Sequence, residues 1–161
     1  MGHDARECPS AVKHRQLSAC NGIAQGYITD RVTDLLRNDG FEHAVVDLGE
    51  WRALGSHPEG RPWRAATRSG EIDLADNALA VSAGSGTPFE PSGRFHHIFD
   101  PATGASAPTP TEVAVIARRA MIADALATAI CVVGEERAAQ LLAAYPGARA
   151  IVTSQTTRKA T

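Results

Sequence analysis

HHIFDPATG, residues 96–104, is the stretch around which the chain is organised, because it places two imidazoles and a carboxylate beside a proline–glycine turn. Pro101 has no N–H to donate to a sheet ladder, so an extended segment is expected to end there. ADALATA, residues 123–129, follows on an alanine-rich helix and carries one acid and one hydroxyl. Together the two stretches indicate a metal-assisted phosphate site.

The composition describes one ordinary globular domain. The chain has 161 residues, 43% of them hydrophobic and 21% charged. A net charge of −2 gives no electrostatic footprint for nucleic acid, and no stretch approaches the roughly 20 apolar residues of a membrane span. The N-terminus lacks the apolar core of a signal peptide, so the chain as written is expected to be cytoplasmic. The three cysteines are widely spaced and predict neither disulfides nor a zinc site.

Hydrophobic periodicity predicts strands and helices in mixed order. Residues 1–20 are expected to be an irregular lead-in. A glycine-punctuated turn at residues 21–27 is expected to open a helix that continues through Leu36 and stops at Gly40. Because the elements do not alternate strictly as βαβ units, the expected class is α+β, with a mixed sheet layered with helices. The other predicted elements are strands at 44–49, 62–66, 72–74, 78–82, 113–116 and 149–152, and helices at 118–133 and 135–145.

Asp124 and Thr128 carry the clearest signal for a metal. Four residues apart on a helix, they project from one face, and their oxygens suit Mg²⁺ better than zinc. An unpaired carboxylate among apolar neighbours would be costly, so Asp124 should have a partner. The alternative is that Asp124 faces solvent or caps a nearby loop.

His96 and His97 adjoin each other in an extended segment, so their side chains should point to opposite faces. One imidazole beside a phosphate could serve as a general base. The alternative is a surface pair beside a turn. Glycines at 22–26 precede the predicted helix, where backbone N–H groups can receive a phosphate, but this signal is weak. The glycine-rich residues 84–86 give an equally weak signal for phosphate binding, and the alternative there is a flexible hairpin turn.

Six segments in order give a more specific signal: GIAQGY (22–27), VDLG (46–49), PWR (62–64), VSAGSG (81–86), HHIFDPATG (96–104) and ADALATA (123–129). Together they resemble the ApbE family of FAD:protein FMN transferases. The resemblance implies an ApbE-like (T-fold-like) C-terminal portion at residues 21–153, followed by a polar tail at 154–161. It also implies Mg²⁺-dependent transfer of FMN from FAD to a threonine hydroxyl of a target flavoprotein, with release of AMP.

Residue roles follow from the same resemblance. Three positions depart from the family pattern: Gln25 stands where many members have Lys, Ala19 where an Asp is usual, and Glu50 where the turn usually has a second glycine. A non-glycine residue at Glu50 is expected to strain that turn. The implied roles are metal ligation by Asp124, Thr128 and the Gly22 carbonyl, with a weaker case for the Ala127 carbonyl; general base for His97; and FAD contacts for Gln25, Phe99 and the Ala19 position.

The resemblance covers only the C-terminal half of a typical member, many of which are exported or membrane-anchored. Two alternatives to an active transferase therefore stay open. The chain could be a truncated, catalytically incompetent remnant that binds FAD and Mg²⁺, or a half-enzyme that needs a partner. An apolar face left uncovered would favour homo-oligomers. An unrelated structural protein would require six ordered coincidences.

Overall fold

The computed structural model describes residues 21–108 and 112–154. The α+β class is confirmed. The expected lead-in and residues 155–161 of the tail lie outside the described residues. In the described part, no helix is long and apolar enough to cross a membrane. The elements in chain order are α1 (Asn21–Asn38), β1 (Ala44–Asp47), β2 (Trp51–Leu54), β3 (Trp63–Thr67), β4 (Gly70–Leu74), β5 (Ala78–Ser82), a 3₁₀ turn (Gly84–Gly86), β6 (Glu112–Ala117), α2 (Ala120–Val133), α3 (Glu135–Ala143) and β7 (Arg149–Thr153).

Five strands form one sheet in the order β1-β2-β5-β6-β7, and every neighbouring pair is antiparallel. Strands β3 and β4 form a separate hairpin. The strand predicted over residues 44–49 is confirmed at Ala44–Asp47, but it ends two residues earlier than predicted because the chain reverses at Gly49, whose φ is +104°. The chain then returns as β2, a strand that the sequence pattern did not reveal because a buried Arg52 interrupts its apolar residues.

Strand β6 is buried along its whole length and separates two apolar layers. Val113 and Val115 face the layer that α2 and α3 complete. Ala114 and Ile116 face the opposite layer, which the β3–β4 hairpin covers. This period-two alternation explains why a continuous apolar run forms a central strand.

Helix α1 buries its polar side. Thr29, Asp30 and Thr33 are almost fully buried, whereas Ile28 and Leu35 are 52% and 57% exposed. The apolar pattern that predicted the helix therefore does not mark its buried face. Contacts of the Asp30 carboxylate, rather than an apolar stripe, tie α1 to the rest of the fold, since the Thr33 hydroxyl donates within α1 to the carbonyl oxygen of Thr29.

Asp30 makes the central contact of α1. Its carboxylate accepts hydrogen bonds from the backbone N–H groups of Ala120 (2.9 Å) and Met121 (3.1 Å), which open α2. It also forms ion pairs with Arg52 of β2 and with Arg119. A carboxylate at a helix N-terminus satisfies unpaired N–H groups and complements the helix dipole. One side chain of α1 therefore caps α2 and ties both helices to the sheet.

We expect Asp30→Asn to lower the free energy of unfolding by about 3–5 kcal/mol, because it leaves the buried Arg52 without its counter-charge. The matched control is Asp34→Asn, since Asp34 also lies on α1 and pairs with Arg119 nearer the surface. That variant should cost about 1 kcal/mol or less. Urea denaturation at neutral pH measures both, and equal losses in the two variants would contradict the central role of Asp30.

Candidate functional site

Asp124 lies on the second turn of α2 and is 4% exposed. Its Oδ2 accepts a hydrogen bond of 3.0 Å from the backbone N–H of Gly26 in α1. The alternative that Asp124 faces solvent is therefore wrong, and the partner that a buried carboxylate needs is present. Burial raises the pKa of Asp124, while the Gly26 N–H acts in the opposite direction by favouring the charged form.

Gly26 permits this contact because the two helices touch at its Cα. A Cβ at this position would lie 2.5 Å from the carbonyl oxygen of Ala120 and 2.7 Å from Cα of Met121. Only glycine fits so close an approach of two backbones. The prediction of a turn at residues 22–26 is wrong, because these residues lie inside α1. The Gly26 N–H, one of the groups predicted to receive a phosphate, donates to Asp124 instead.

Thr128 lies one turn beyond Asp124 on α2. Its Oγ1 is 3.3 Å from Oγ of Ser82 at the end of β5. Gly22 packs against the same side chain, since a Cβ on Gly22 would lie 3.4 Å from Cγ2 of Thr128. The structure thus brings Gly22, Asp124 and Thr128 to one α1–α2 junction. Ser82 is a polar neighbour that sequence reasoning missed, because a serine closing an apolar strand carries no distinctive signal.

The Ala127 position differs from these three. Ala127 is completely buried, and it packs in the apolar layer between α2 and the sheet. Ala19 lies outside the described residues. The described residues contain no group of three His, Cys, Asp or Glu side chains that could hold a metal ion. Any ion at the junction would therefore rely on hydroxyl and carbonyl oxygens besides Asp124.

Glu50 is a second buried carboxyl near Asp124. It is 6% exposed, and its Oε2 accepts a hydrogen bond of 3.3 Å from the Val81 N–H. Burial raises its pKa to about 8, and the nearby charges of Asp124 and Asp47 add to the effect. The expected strain at Glu50 is wrong, because among the described residues Asp76 is the one non-glycine with positive φ.

Gln25 lies on the surface beside the turn that carries Glu50. A Cβ on Gly49 would lie 2.5 Å from Nε2 of Gln25, so the amide rests directly over the Gly49 backbone. The positive φ of Gly49 requires glycine, whereas the exposed Gln25 side chain could move away from a Cβ at this position. Gln25 therefore stands between the α1–α2 junction and the β1–β2 turn.

A cleft of about 530 Å³ opens beside Glu50, which forms part of its lining. It lies between the β1–β2 turn, the β3–β4 hairpin and the sheet. Glu112 forms one wall and holds the hairpin turn, because its carboxylate accepts hydrogen bonds from Ser69 Oγ (3.0 Å) and from the N–H groups of Arg68 and Ser69. The lining residues are Asp47, Gly49, Glu50, Trp51, Ala66, Thr67, Arg68, Leu79, Val81 and Glu112.

The two histidines differ in exposure, and the alternative of a surface pair is wrong because His96 is buried. His96 is 4% exposed, its Nε2 lies 3.0 Å from the carbonyl oxygen of Ala107, and its Nδ1 accepts the N–H of Ile98. These contacts suit the tautomer with hydrogen on Nε2 and give His96 a structural role. His97 is exposed, with its Cε1 beside Gly86.

The end of β5 connects the two parts of the candidate site. Ser82 contacts Thr128 of α2, and four residues later Gly86 lies beside His97. Phe99 follows His97, is 48% exposed and packs against Phe89. His97 and Phe99 therefore lie on the segment that follows the strand end at which Ser82 meets Thr128.

Comparison with known proteins is consistent with this geometry. A family model described as the ApbE family matches residues 11–152. A Vibrio cholerae protein named FAD:protein FMN transferase is 37% identical over 127 residues, covering 71% of this chain and 38% of the relative. A Treponema pallidum protein of the same name is 32% identical over 152 residues, covering 80% and 41%. The chain thus spans about two fifths of the length of these relatives.

Solved structures show the same fold. The ApbE protein of Thermotoga maritima superposes with a TM-score of 0.71 at 30% identity, covering 81% of this chain and 46% of the other. A histidine-to-glycine mutant of the flavin transferase ApbE from Vibrio cholerae gives a TM-score of 0.68 at 30% identity, covering 86% and 44%.

Glu50→Gln tests the buried carboxyl. The folded state raises the pKa of Glu50 from its ordinary 4.5 to about 8, so folding retains its proton. The stability that this proton supports is complete below about pH 4.5 and is lost as the pH rises toward 8. In metal-free buffer, Glu50→Gln should therefore match the natural protein near pH 5 and exceed it by about 2–5 kcal/mol near pH 8.

Denaturant titrations at several pH values measure this difference. Glu71→Gln is the control, because Glu71 is an exposed carboxylate paired with Arg64 on the hairpin. A stability difference for Glu50→Gln that stayed constant from pH 5 to pH 8 would contradict the burial of a protonated carboxyl.

Proposed function

The chain belongs to the ApbE family, and from this premise we propose that it forms part of a flavin transferase. The transferase would move FMN from FAD to a threonine hydroxyl of a target flavoprotein, with Mg²⁺ required and AMP released. The names of the relatives support flavin transfer. Within this chain, the observation that carries the proposal is the junction at which Gly22, Asp124 and Thr128 meet.

The donors at the junction fit Mg²⁺. A carboxylate, a hydroxyl and a backbone carbonyl are all oxygen donors, which hard divalent cations prefer. Asp124 adds an energetic reason, since burial raises its pKa and a nearby cation would favour its charged form. The Gly26 N–H occupies Oδ2 and so fixes the orientation of the carboxylate.

The reaction requires one bond to form and one to break. As the threonine oxygen of the target bonds to the FMN phosphorus, the bond from that phosphorus to the bridging oxygen breaks, and AMP leaves with the bridging oxygen. Mg²⁺ held at the junction would supply neutralisation of the charge that develops on the pyrophosphate. His97 is proposed to take the proton of the threonine hydroxyl, and its exposure lets it meet a residue of another protein.

Gln25 and Phe99 are proposed to contact the flavin nucleotide. The Gln25 amide lies at the surface beside the β1–β2 turn, where it can donate an N–H to a phosphate oxygen. It lacks the positive charge that lysine brings to this position in many family members. Binding of FAD by this chain should therefore depend more on the cation and on ring contacts.

A second candidate function follows from the length of the match. The chain spans 38% and 41% of the length of two relatives, so a complete flavin pocket could require residues from outside the matched region. The chain would then bind FAD and Mg²⁺ without turnover, or would act only with a partner that completes the pocket. Calorimetric titration with FAD and Mg²⁺ separates these candidates, since heat of binding without AMP release identifies a binding module.

Asp124→Asn should lower Mg²⁺-dependent AMP release from FAD by about 100-fold or more, because it removes the charged ligand of the proposed cation. The matched control is Asp73→Asn, which changes an exposed carboxylate on β4. His97→Ala should also slow the reaction, yet leave the Mg²⁺ concentration for half-maximal rate unchanged. Chromatographic measurement of AMP, with a threonine-bearing flavoprotein as acceptor, provides the readout. No release by the folded natural chain at saturating Mg²⁺ would contradict turnover by this chain.

A further inference from the structure

Three phenylalanines of the segment between β5 and β6 expose their rings. Phe89, Phe95 and Phe99 are 58%, 50% and 48% exposed. Single exposed apolar side chains are common on protein surfaces, whereas exposed apolar side chains that adjoin one another mark binding sites. Two of these rings, Phe89 and Phe99, adjoin one another, and His97, the proposed base, lies between them in sequence.

The backbone beneath these rings is held by many hydrogen bonds. The Glu90 carboxylate accepts the N–H groups of Ser92, Arg94 and Phe95 at 2.8, 2.7 and 3.2 Å, together with the Ser92 hydroxyl at 2.6 Å. These bonds hold the pKa of Glu90 at about 2. The Phe89 N–H donates to the carbonyl oxygen of Phe95 at 2.7 Å.

Two isolated bridges hold the rest of the segment. Pro88 pairs with His96, and Phe99 pairs with Ser106. The buried His96 ring anchors the strand-like stretch between them through Ala107. The exposed rings are therefore positioned by their backbone, which is what a preformed binding surface requires.

Phe89 and Phe99 act as a pair. Their ring centroids are 6.1 Å apart, with 31° between the ring planes. Since stacked carbon atoms lie about 3.5 Å apart, a third ring inserted between them would need centroids about 7 Å apart. The pair therefore cannot hold a ligand between its rings and can contact one only from outside. Phe95 is the cross-strand neighbour of Phe89, but its ring packs against the Arg94 guanidinium, which lies 5.2 Å from the ring centroid.

We propose that Phe89 and Phe99 form an aromatic platform that stacks on the isoalloxazine ring of FAD, with Phe89 as an additional flavin-binding residue. This inference rests on the proposed flavin transfer. Two adjoining phenyl rings extend over a longer face than one, and this suits the tricyclic isoalloxazine better than the bicyclic adenine. His97 lies between the two phenylalanines in sequence, so the platform holds the FMN part of FAD on the same segment as the proposed base.

Binding titrations of the full chain with FAD, FMN and AMP, in the presence of Mg²⁺, test the platform. Phe89→Ala should weaken FAD and FMN binding by about tenfold, the loss typical of one stacked ring, and should leave AMP binding unchanged. Phe95→Ala is the matched control, because it removes an equally exposed phenylalanine of the same segment. It should leave the affinity for all three probes unchanged.

A substitution that adds a signal complements the deletion. An indole stacked on isoalloxazine quenches flavin fluorescence by electron transfer, so Phe89→Trp should quench bound FMN whereas Phe95→Trp should not. Circular dichroism checks that each variant is folded. If the natural chain binds FAD and FMN while Phe89→Ala and Phe95→Ala bind them equally well, the platform is overturned and the proposed function survives.

Two other results are decisive. Weaker FAD binding with unchanged FMN binding would place adenine on the pair and overturn the assignment to isoalloxazine. Absence of any flavin binding by the folded natural chain would overturn the proposed function itself, and the platform with it.

Discussion

The carboxylate of Asp30 is the interaction on which the arrangement of this protein depends. It reaches from α1 to the first N–H groups of α2 and, at the same time, pairs with Arg52 in the sheet. Four residues earlier, Gly26 lets the two helix backbones touch. Because these contacts fix where α2 begins, they also fix the position of each α2 residue along the axis of α1. This is how Asp124 meets the Gly26 N–H and Thr128 meets Gly22.

Two buried carboxyls near one another give this region its electrostatic character. Burial raises the pKa of both Asp124 and Glu50, and the charge of Asp124 contributes further at Glu50. A cation beside Asp124 would favour the charged form of that residue and relieve this cost. In the proposed transferase, a cation at the α1–α2 junction would contact the pyrophosphate, while the segment between β5 and β6 would supply the proposed base and the proposed aromatic platform.

Features that depend on neighbouring residues, such as a shared helix face or an apolar strand, were predictable from the sequence. Asp124 and Thr128 share a helix face because they are four residues apart, and the apolar run at residues 113–116 predicted the strand that the structure shows as β6. Contacts between distant residues were not predictable. Asp124 and Gly26 are 98 positions apart, so nothing near Gly26 indicated that its N–H would bind a carboxylate rather than a phosphate. Glu50 was expected to strain a turn, but Gly49 takes the unusual φ and Glu50 turns inward.

Anomalous diffraction from crystals grown with Mn²⁺, which stands in for Mg²⁺, tests most directly whether the α1–α2 junction is a cation site. The account predicts an anomalous peak in contact with the Asp124 carboxylate, the Thr128 hydroxyl and the Gly22 carbonyl oxygen, and loss of that peak in Asp124→Asn. Mn²⁺ bound elsewhere on the folded protein, with none at this junction at saturating concentration, would contradict it.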